Sequence, residues 1–257
     1  MELMLNSVAP IVQYVPMEHL IAHSESRPYI PSLAYCNLRI QYQRKMRNKI
    51  SKEILTPPLP SHDDVGSYFR RVQDVWSESQ ACMRLKAIIE SARPQCNKII
   101  GFALGSISWE FQESWPQRSA FQHALLLSLR YALRPCQPDK DTEVCFAQDP
   151  AYTELDKSLL SGCDITVAND PEGFLQLDHS SAVVSCSPDI PVKEVVSELA
   201  FPALLIWDTT KDSSSWMPRS DPDSPRVRKW LHTNYDRVDF PGENIYFGDL
   251  SVYIRRW

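Results

Sequence analysis

The sequence predicts a Rossmann-like, doubly wound α/β domain: a mostly parallel sheet of about five strands, helices on both faces, and a β-hairpin at the C-terminus. Two observations predict the sheet. Five short apolar runs recur between residues 98 and 207, and each ends in a cluster of turn residues. Between them lie segments whose apolar residues recur every three or four positions, the spacing of a helix with one buried face. A third observation places the centre of the sheet: Lys98 to Leu104, KIIGFAL, is an almost unbroken apolar run, as expected of a strand covered by helices on both sides.

Residues 1–62 form a Pro-interrupted N-terminal segment, and residues 63–257 read as one domain, with a core at 98–208 and a C-terminal loop, helix and hairpin at 209–257. In the N-terminal segment, Met17–His23 and Leu38–Ile54 are read as helical pieces, the second polar, basic and closed by the breaker TPPLP. From Ser61 the pattern changes. Val65, Tyr68, Phe69, Val72, Val75, Trp76, Met83, Ile88 and Ile89 mark a helix broken near Ser79 and ending before Pro94. The first strand follows and runs into the turn Gly105-Ser106-Ile107-Ser108. Capping-box spacing at Ser114 to Gln117 then opens a helix through RSAFQHALLLSLRYAL, which Pro135 stops.

Four more strand-and-turn units follow. Glu143–Ala147 ends in Gln148-Asp149-Pro150, Asp164–Ala168 in Asn169-Asp170, Ala182–Ser185 in Cys186-Ser187-Pro188-Asp189, and Ala203–Trp207 in Asp208-Thr209-Thr210. A helix from Thr153 to Ser161, closed by Gly162 at C′, and another from Pro191 to Leu199 lie between them. After a loop through residue 225, a helix capped by Asp223 or Ser224 spans Val227–His232. The hairpin is read as NIYF and LSVYIRRW joined by Gly248-Asp249, with Trp257 anchoring the end.

Composition narrows the function classes. A net charge of −5 weighs against non-specific nucleic-acid binding, which needs a clustered excess of Lys and Arg. The one basic cluster, Arg44, Lys45, Arg47, Lys49 and Lys52, reads as a solvated helix face. No stretch reaches the roughly 18 apolar residues of a membrane span, since Arg130 interrupts the best run. The N-terminal stretch carries Glu2 and no basic residue, so a secretory signal is not expected. The chain reads as intracellular, cytoplasmic with the nucleus a second compartment open to it. Its seven cysteines, an odd number without a CxxC pair, fit reduced thiols. His19 and His23 share a helix face but have no third ligand at metal-binding spacing, so no metal site is expected.

In a doubly wound sheet, ligands bind in the crevice beyond the carboxyl ends of the strands. Gly105 and Ser106, in the turn after the first strand, are placed to meet an anion or cofactor, although neither GxGxxG nor GxxxxGK[ST] is present. Asp149 ends the second strand, where a ribose-binding acid stands in dinucleotide folds, but 44 positions beyond Gly105 rather than about 20. Asp170, Glu172 and Asp208 end later strands or open the turns after them, and Ser187 follows the fourth. The expected ligand-binding set is Gly105, Ser106, Asp149, Asp170, Ser187 and Asp208. Asp149, Asp170 and Asp208 are the candidates for acid–base chemistry, because carboxylates held close are tuned apart in pKa. His123 reads as a satisfied histidine at a helix edge and Cys186 as a buried thiol without an activating base.

Six stretches together carry a family resemblance: ALGS at 103–106, SAFQHALLL at 119–127, QDPAYTELDKSLL at 148–160, the strand from Gly162 to Asp170, SCSPDIPV at 185–192, and the strand ending in Trp207-Asp208. Over 98–208 the chain resembles the sensitivity-to-red-light-reduced domain family in its fungal form. It departs at Ala103, where many members carry the first Gly of a GLG turn, and at SCSPDIPV, which replaces a Met-Pro-His-Cys-like segment. The resemblance implies a Rossmann-like intracellular domain of regulatory character. It names no cofactor, and without a Cys-Pro dipeptide haem is not expected. The expected function is a regulatory or small-ligand-binding protein, its partner a small molecule or another protein. The alternative is a small-molecule enzyme in the same crevice, with a nucleotide-type cofactor and carboxylate acid–base chemistry.

Overall fold

The computed structural model describes residues 3–14, 38–48, 60–113, 117–133, 144–211 and 220–256. Strands β1 (Leu3–Tyr14) and β2 (Leu38–Asn48) pair antiparallel in a two-stranded sheet of their own. This corrects the helical reading of Leu38–Ile54 over Leu38–Asn48, and the rest of that stretch lies outside the described residues. LRIQYQRKM alternates Leu38, Ile40, Tyr42 and Met46 with polar residues, the period of a strand, and that period prevails over its polar, basic composition. The expected helix Met17–His23, the His19/His23 pair and the capping box at Ser114 lie outside the described residues.

The remainder is built on a seven-stranded sheet in the order β5-β4-β3-β6-β7-β9-β8. Its strands are β3 (Lys98–Phe102), β4 (Val144–Gln148), β5 (Ile165–Val167), β6 (Ser181–Ser185), β7 (Leu204–Asp208), β8 (Tyr235–Asp239) and β9 (Leu250–Arg255). The first five are parallel, as expected. β9 runs antiparallel between β7 and β8, which makes the sheet larger than five strands. Its helices are α1 (His62–Glu78), α2 (Gln80–Ala92), α3 (Ile107–Glu113), α4 (Arg118–Leu133), α5 (Glu154–Ser161), α6 (Glu172–Leu175), α7 (Val192–Leu199), α8 (Pro225–Asn234) and α9 (Asn244–Phe247).

Successive strand residues point to opposite faces, so each strand feeds two cores. Ile99, Cys145, Val184 and Ile206 pack with α1, α2 and α4 through Phe69, Leu85 and Leu125. Ile100, Phe102, Val183 and Trp207 pack with α6, α7 and α8 through Phe174, Val196 and Leu231. The break in the first helix falls at Ser79. Its extended backbone closes α1, and its hydroxyl accepts the N–H of Cys82 at 3.1 Å to open α2. Trp76, at the end of α1, donates from Nε1 to Ser128 Oγ at 3.1 Å and so ties α1 to α4.

Two local readings change. Gly162 has φ −63, within the right-handed region, and the left-handed residue is Asp164 at φ 55. At the C-terminus, NIYF is the helical turn α9, and the partner of β9 is Tyr235–Asp239. Tertiary packing decides this. Tyr246 stacks on Phe121 at 3.9 Å, and Phe247 meets Phe121 at 6.2 Å and Trp76 at 5.1 Å. A strand would send these adjacent rings to opposite faces, whereas a helical turn brings both onto α4.

Candidate functional site

The sheet reverses its strand order between β3 and β6, and the chain leaves both strands through left-handed residues. Ala103 has φ 54, Gly105 φ 75 and Ser187 φ 50. Only glycine takes such angles without cost, and a Cβ on Gly105 would also stand 2.4 Å from Ser119 Oγ.

At the β3 corner every predicted residue is engaged. Asp149 accepts the N–H of Gly105 on Oδ2 at 2.7 Å and of Ala151 on Oδ1 at 2.8 Å, stapling the end of β4 to the first turn. Burial raises its pKa, opposed by those two hydrogen bonds. Ser106 donates to Asp156 Oδ2 at 2.7 Å, beside Ser108, whose N–H reaches Oδ1 at 2.9 Å. Asp156 is fully buried and also closes the capping box of α5 with Thr153. His123, equally buried, donates from Nδ1 to Ser119 O at 2.7 Å and accepts from the Tyr152 hydroxyl on Nε2 at 2.7 Å. Burial holds it neutral, its pKa lowered to about 4. This corner is a welded joint.

Asp170 sits on an exposed turn, where it accepts from Gln148 Nε2 at 2.9 Å. Gln148 in turn accepts the N–H of Gly173 on Oε1 at 2.7 Å, and Glu172 accepts that of Asn169 at 3.0 Å. These side chains organise the turn into α6.

The β6/β7 corner is different. Ser187 donates its N–H and hydroxyl to the two oxygens of Asp208, at 3.0 and 3.1 Å. Around that pair opens a cavity of about 290 Å³, whose wall includes Pro188, Asp189, Asp221 and Asp249. Of the six predicted ligand-binding residues, Ser187 and Asp208 line it. Beneath it Lys193, fully buried on α7, donates its N–H to Asp221 Oδ1 at 2.9 Å and pairs through Nζ with Asp223 at 2.6 Å. Burial pushes the Asp221 carboxyl up to about 7. Lys193 opposes that rise, while Asp208 and Asp223 add to it. Cys186 is buried, and burial raises its thiol far above the ordinary range, so it holds no ready nucleophile.

Sequence reasoning missed Asp221 and Lys193 because DSSSWMPRSDPDSP reads only as loop; nothing local links it to β7 or α7. Asp189 was visible within SCSPDIPV, but as a turn residue. Among the described residues no cluster of three or more His, Cys, Asp or Glu side chains is arranged to hold a metal, and no helix is long and apolar enough to cross a membrane.

Fold and site together define a Rossmann-like α/β protein whose open cavity lies at the carboxyl ends of its parallel strands. The chain belongs to the SRR1 domain family, whose model matches residues 69–254. That match extends beyond the 98–208 stretch that carries the resemblance in sequence, taking in most of α1 and all but the last residue of β9. No curated protein matches the chain. Similar solved structures include an O-methyltransferase from Bacillus cereus in complex with SAH, at 11% identity and TM-score 0.40, covering 77% of this chain and 94% of that one. Another is the N-terminal domain of EvdMO1 in the presence of SAH and D-fucose, at 9% identity and TM-score 0.35, covering 78% and 100%. A third is the 16S rRNA methylase ArmA, at 10% identity and TM-score 0.33, covering 76% and 97%.

Proposed function

We propose that this protein is a regulatory, small-ligand-binding member of the family, with its ligand held at the carboxyl ends of β6 and β7. The observation that carries this reading is the cavity beside Ser187 and Asp208, at the carboxyl ends of the parallel strands, where α/β sheets hold their ligands, and one strand over from the β3/β6 reversal. Its volume of about 290 Å³ sits at the lower edge of small-molecule sites, and its wall is polar. A small polar molecule, or one polar portion of a larger one, suits it. The test is a thermal-shift screen against nucleotides, NAD(P) and S-adenosylmethionine, repeated on Asp208→Asn, which keeps an acceptor for Ser187. A ligand at a hundred times its Kd adds about 2.7 kcal/mol, several degrees in melting temperature. A shift that disappears in the variant is the expected result; no shift with any small molecule overturns the reading.

One observation favours the second reading, an enzyme in the same crevice: the Asp221 carboxyl, near 7 beside Asp208, lies in the range where a general acid or base works. Once a ligand is known, mass spectrometry of its incubation with the protein separates the two readings. Conversion lost in Asp221→Asn with binding retained marks a catalytic role.

A further inference from the structure

We propose that the two-stranded ribbon β1–β2 is a binding surface for double-stranded DNA, engaged through its basic face in the major groove. This goes beyond the crevice reading and does not depend on it. The register of the ribbon sorts its residues onto two faces, because residues directly opposite in an antiparallel pair share a face and neighbours along a strand do not. Arg39, Gln41, Gln43, Lys45 and Arg47 of β2 therefore fall together, joined across the ribbon by Gln13 opposite Arg39 and Asn6 opposite Lys45. Met4 and Ile11 are the apolar residues paired on that face. The other face takes Leu5, Val12, Tyr14, Leu38, Ile40 and Tyr42. The register shift between Ser7 and Pro10 makes this separation. It places one extra residue in β1, so that odd-numbered Leu5 and even-numbered Val12 and Tyr14 come to the same side.

Charge is the second observation. β1 and β2 hold four Lys or Arg residues and no Asp or Glu, a cationic ribbon that the whole-chain charge of −5 conceals. A helix would scatter those cations around its axis; the strand sets Arg39, Lys45 and Arg47 on one side, with Arg44, opposite Ser7, on the other. Two strands alone are marginal in water, so the apolar face needs cover and the basic face is the one left for a partner. That partner is a polyanion by charge complementarity. The major groove of duplex DNA, about 12 Å wide, admits a two-stranded ribbon, and Arg and Lys on guanine and Gln and Asn on adenine are the pairings that read its base edges. At about 3.3 Å per residue, Arg39 to Arg47 spans about 26 Å, most of one helical turn of about 34 Å. Single strands are held by stacking on aromatic rings, and Tyr14 and Tyr42 fall on the opposite face. The major groove of an RNA duplex is too deep and narrow for side chains to read.

The test is fluorescence anisotropy of the full chain with a labelled DNA duplex of mixed sequence about two turns long, set against its single strand, the matching RNA duplex and poly-L-glutamate. The DNA duplex is expected to bind most tightly. Its affinity should fall as salt rises with a log–log slope near −3, about −0.9 for each of the three cations of the basic face. Arg39→Gln, Lys45→Gln and Arg47→Gln combined, which install the residue already standing at 41 and 43, are expected to weaken binding at least tenfold and to flatten that slope. Arg44→Gln, the same charge change on the opposite face, is expected to stay within about twofold of the parent. Should the triple variant fail to fold, the neighbours Lys45→Gln and Arg44→Gln carry the comparison singly, with a severalfold loss expected for the first alone. Absence of DNA binding at low salt overturns the proposal, as does an equal loss from Arg44→Gln and Lys45→Gln. Single strand or RNA duplex bound as tightly as the DNA duplex overturns the groove assignment, and poly-L-glutamate bound as tightly would assign the ribbon to an acidic protein instead.

Discussion

Two corners of one sheet edge bury carboxylates in opposite ways. At the β3 corner, Asp156 is fully buried and receives the hydroxyls of Ser106, Ser108 and Thr153 together with the N–H groups of Ser108 and Thr153. At the β6/β7 corner, Asp221 is almost as deeply buried, yet among the described residues its Oδ2 has no hydrogen-bond partner and meets only the Lys193 ammonium, as an ion pair at 3.8 Å. Burial alone therefore does not mark a site. A buried acid saturated with donors is part of the frame, and one left short of donors beside a cavity is where a ligand has something to supply.

The largest effect expected from breaking this contrast is at the saturated corner. Asp156→Ala strands several buried donors at once and should cost about 3 kcal/mol or more, since each unsatisfied group costs about 1–3 kcal/mol. Urea denaturation should show the midpoint falling with no change in slope. A loss below 1 kcal/mol would mean that water replaces the carboxylate and that the corner is not welded.

Next in size is a difference of sign with pH. The Asp221 carboxyl is raised from its ordinary 3.8 to about 7, so between those values the folded state holds more proton than the unfolded chain, and stability falls as pH rises. The ceiling of that loss is about 4 kcal/mol. His123 is lowered from 6.5 to about 4, so in nearly the same window the unfolded chain holds more proton and stability rises with pH, by at most about 3 kcal/mol. The two corners thus oppose each other in mild acid. Asp221→Asn keeps an acceptor for the Lys193 N–H and removes the charge. It should be more stable than the parent at pH 8, by about 1–3 kcal/mol, with that advantage fading toward pH 4. Unfolding curves at pH 4.5, 6 and 8 check this, and an advantage independent of pH would remove Asp221 from the account.

The smallest effect sharpens the comparison at the turn itself. Ala103 holds φ 54 where glycine would be unstrained, at a cost of roughly 1–2 kcal/mol, partly offset by the greater freedom of glycine in the unfolded chain. Ala103→Gly should therefore gain about 0.5–1 kcal/mol by equilibrium unfolding. A destabilised variant would show that the methyl group is needed for packing.

Much of the frame was legible in the residues. The five parallel strands, the break at Ser79 and the helix from Arg118 follow from apolar periodicity and from residues that cap or stop a helix, which act over one or two turns of chain. Where a local pattern was misjudged, a rival local signal was present: Leu38–Asn48 alternates with period two, and its polar composition obscured that. The C-terminal strand pair was less legible. Tyr246 and Phe247 become helical because Phe121 and Trp76, more than a hundred residues earlier, offer both rings one surface.

The candidate site divides along the same line. Sequence by itself determined that acids and turn residues cluster where strands end, because strand, turn and helix alternate along the chain. It could not determine which acids are satisfied. Asp149 lies 44 positions from the N–H it caps, and Asp221 lies 28 from the lysine that half satisfies it. Only the tertiary structure decides how many donors reach a carboxylate, because hydrogen bonding depends on distance in space, and that count is what separates the welded corner from the open one.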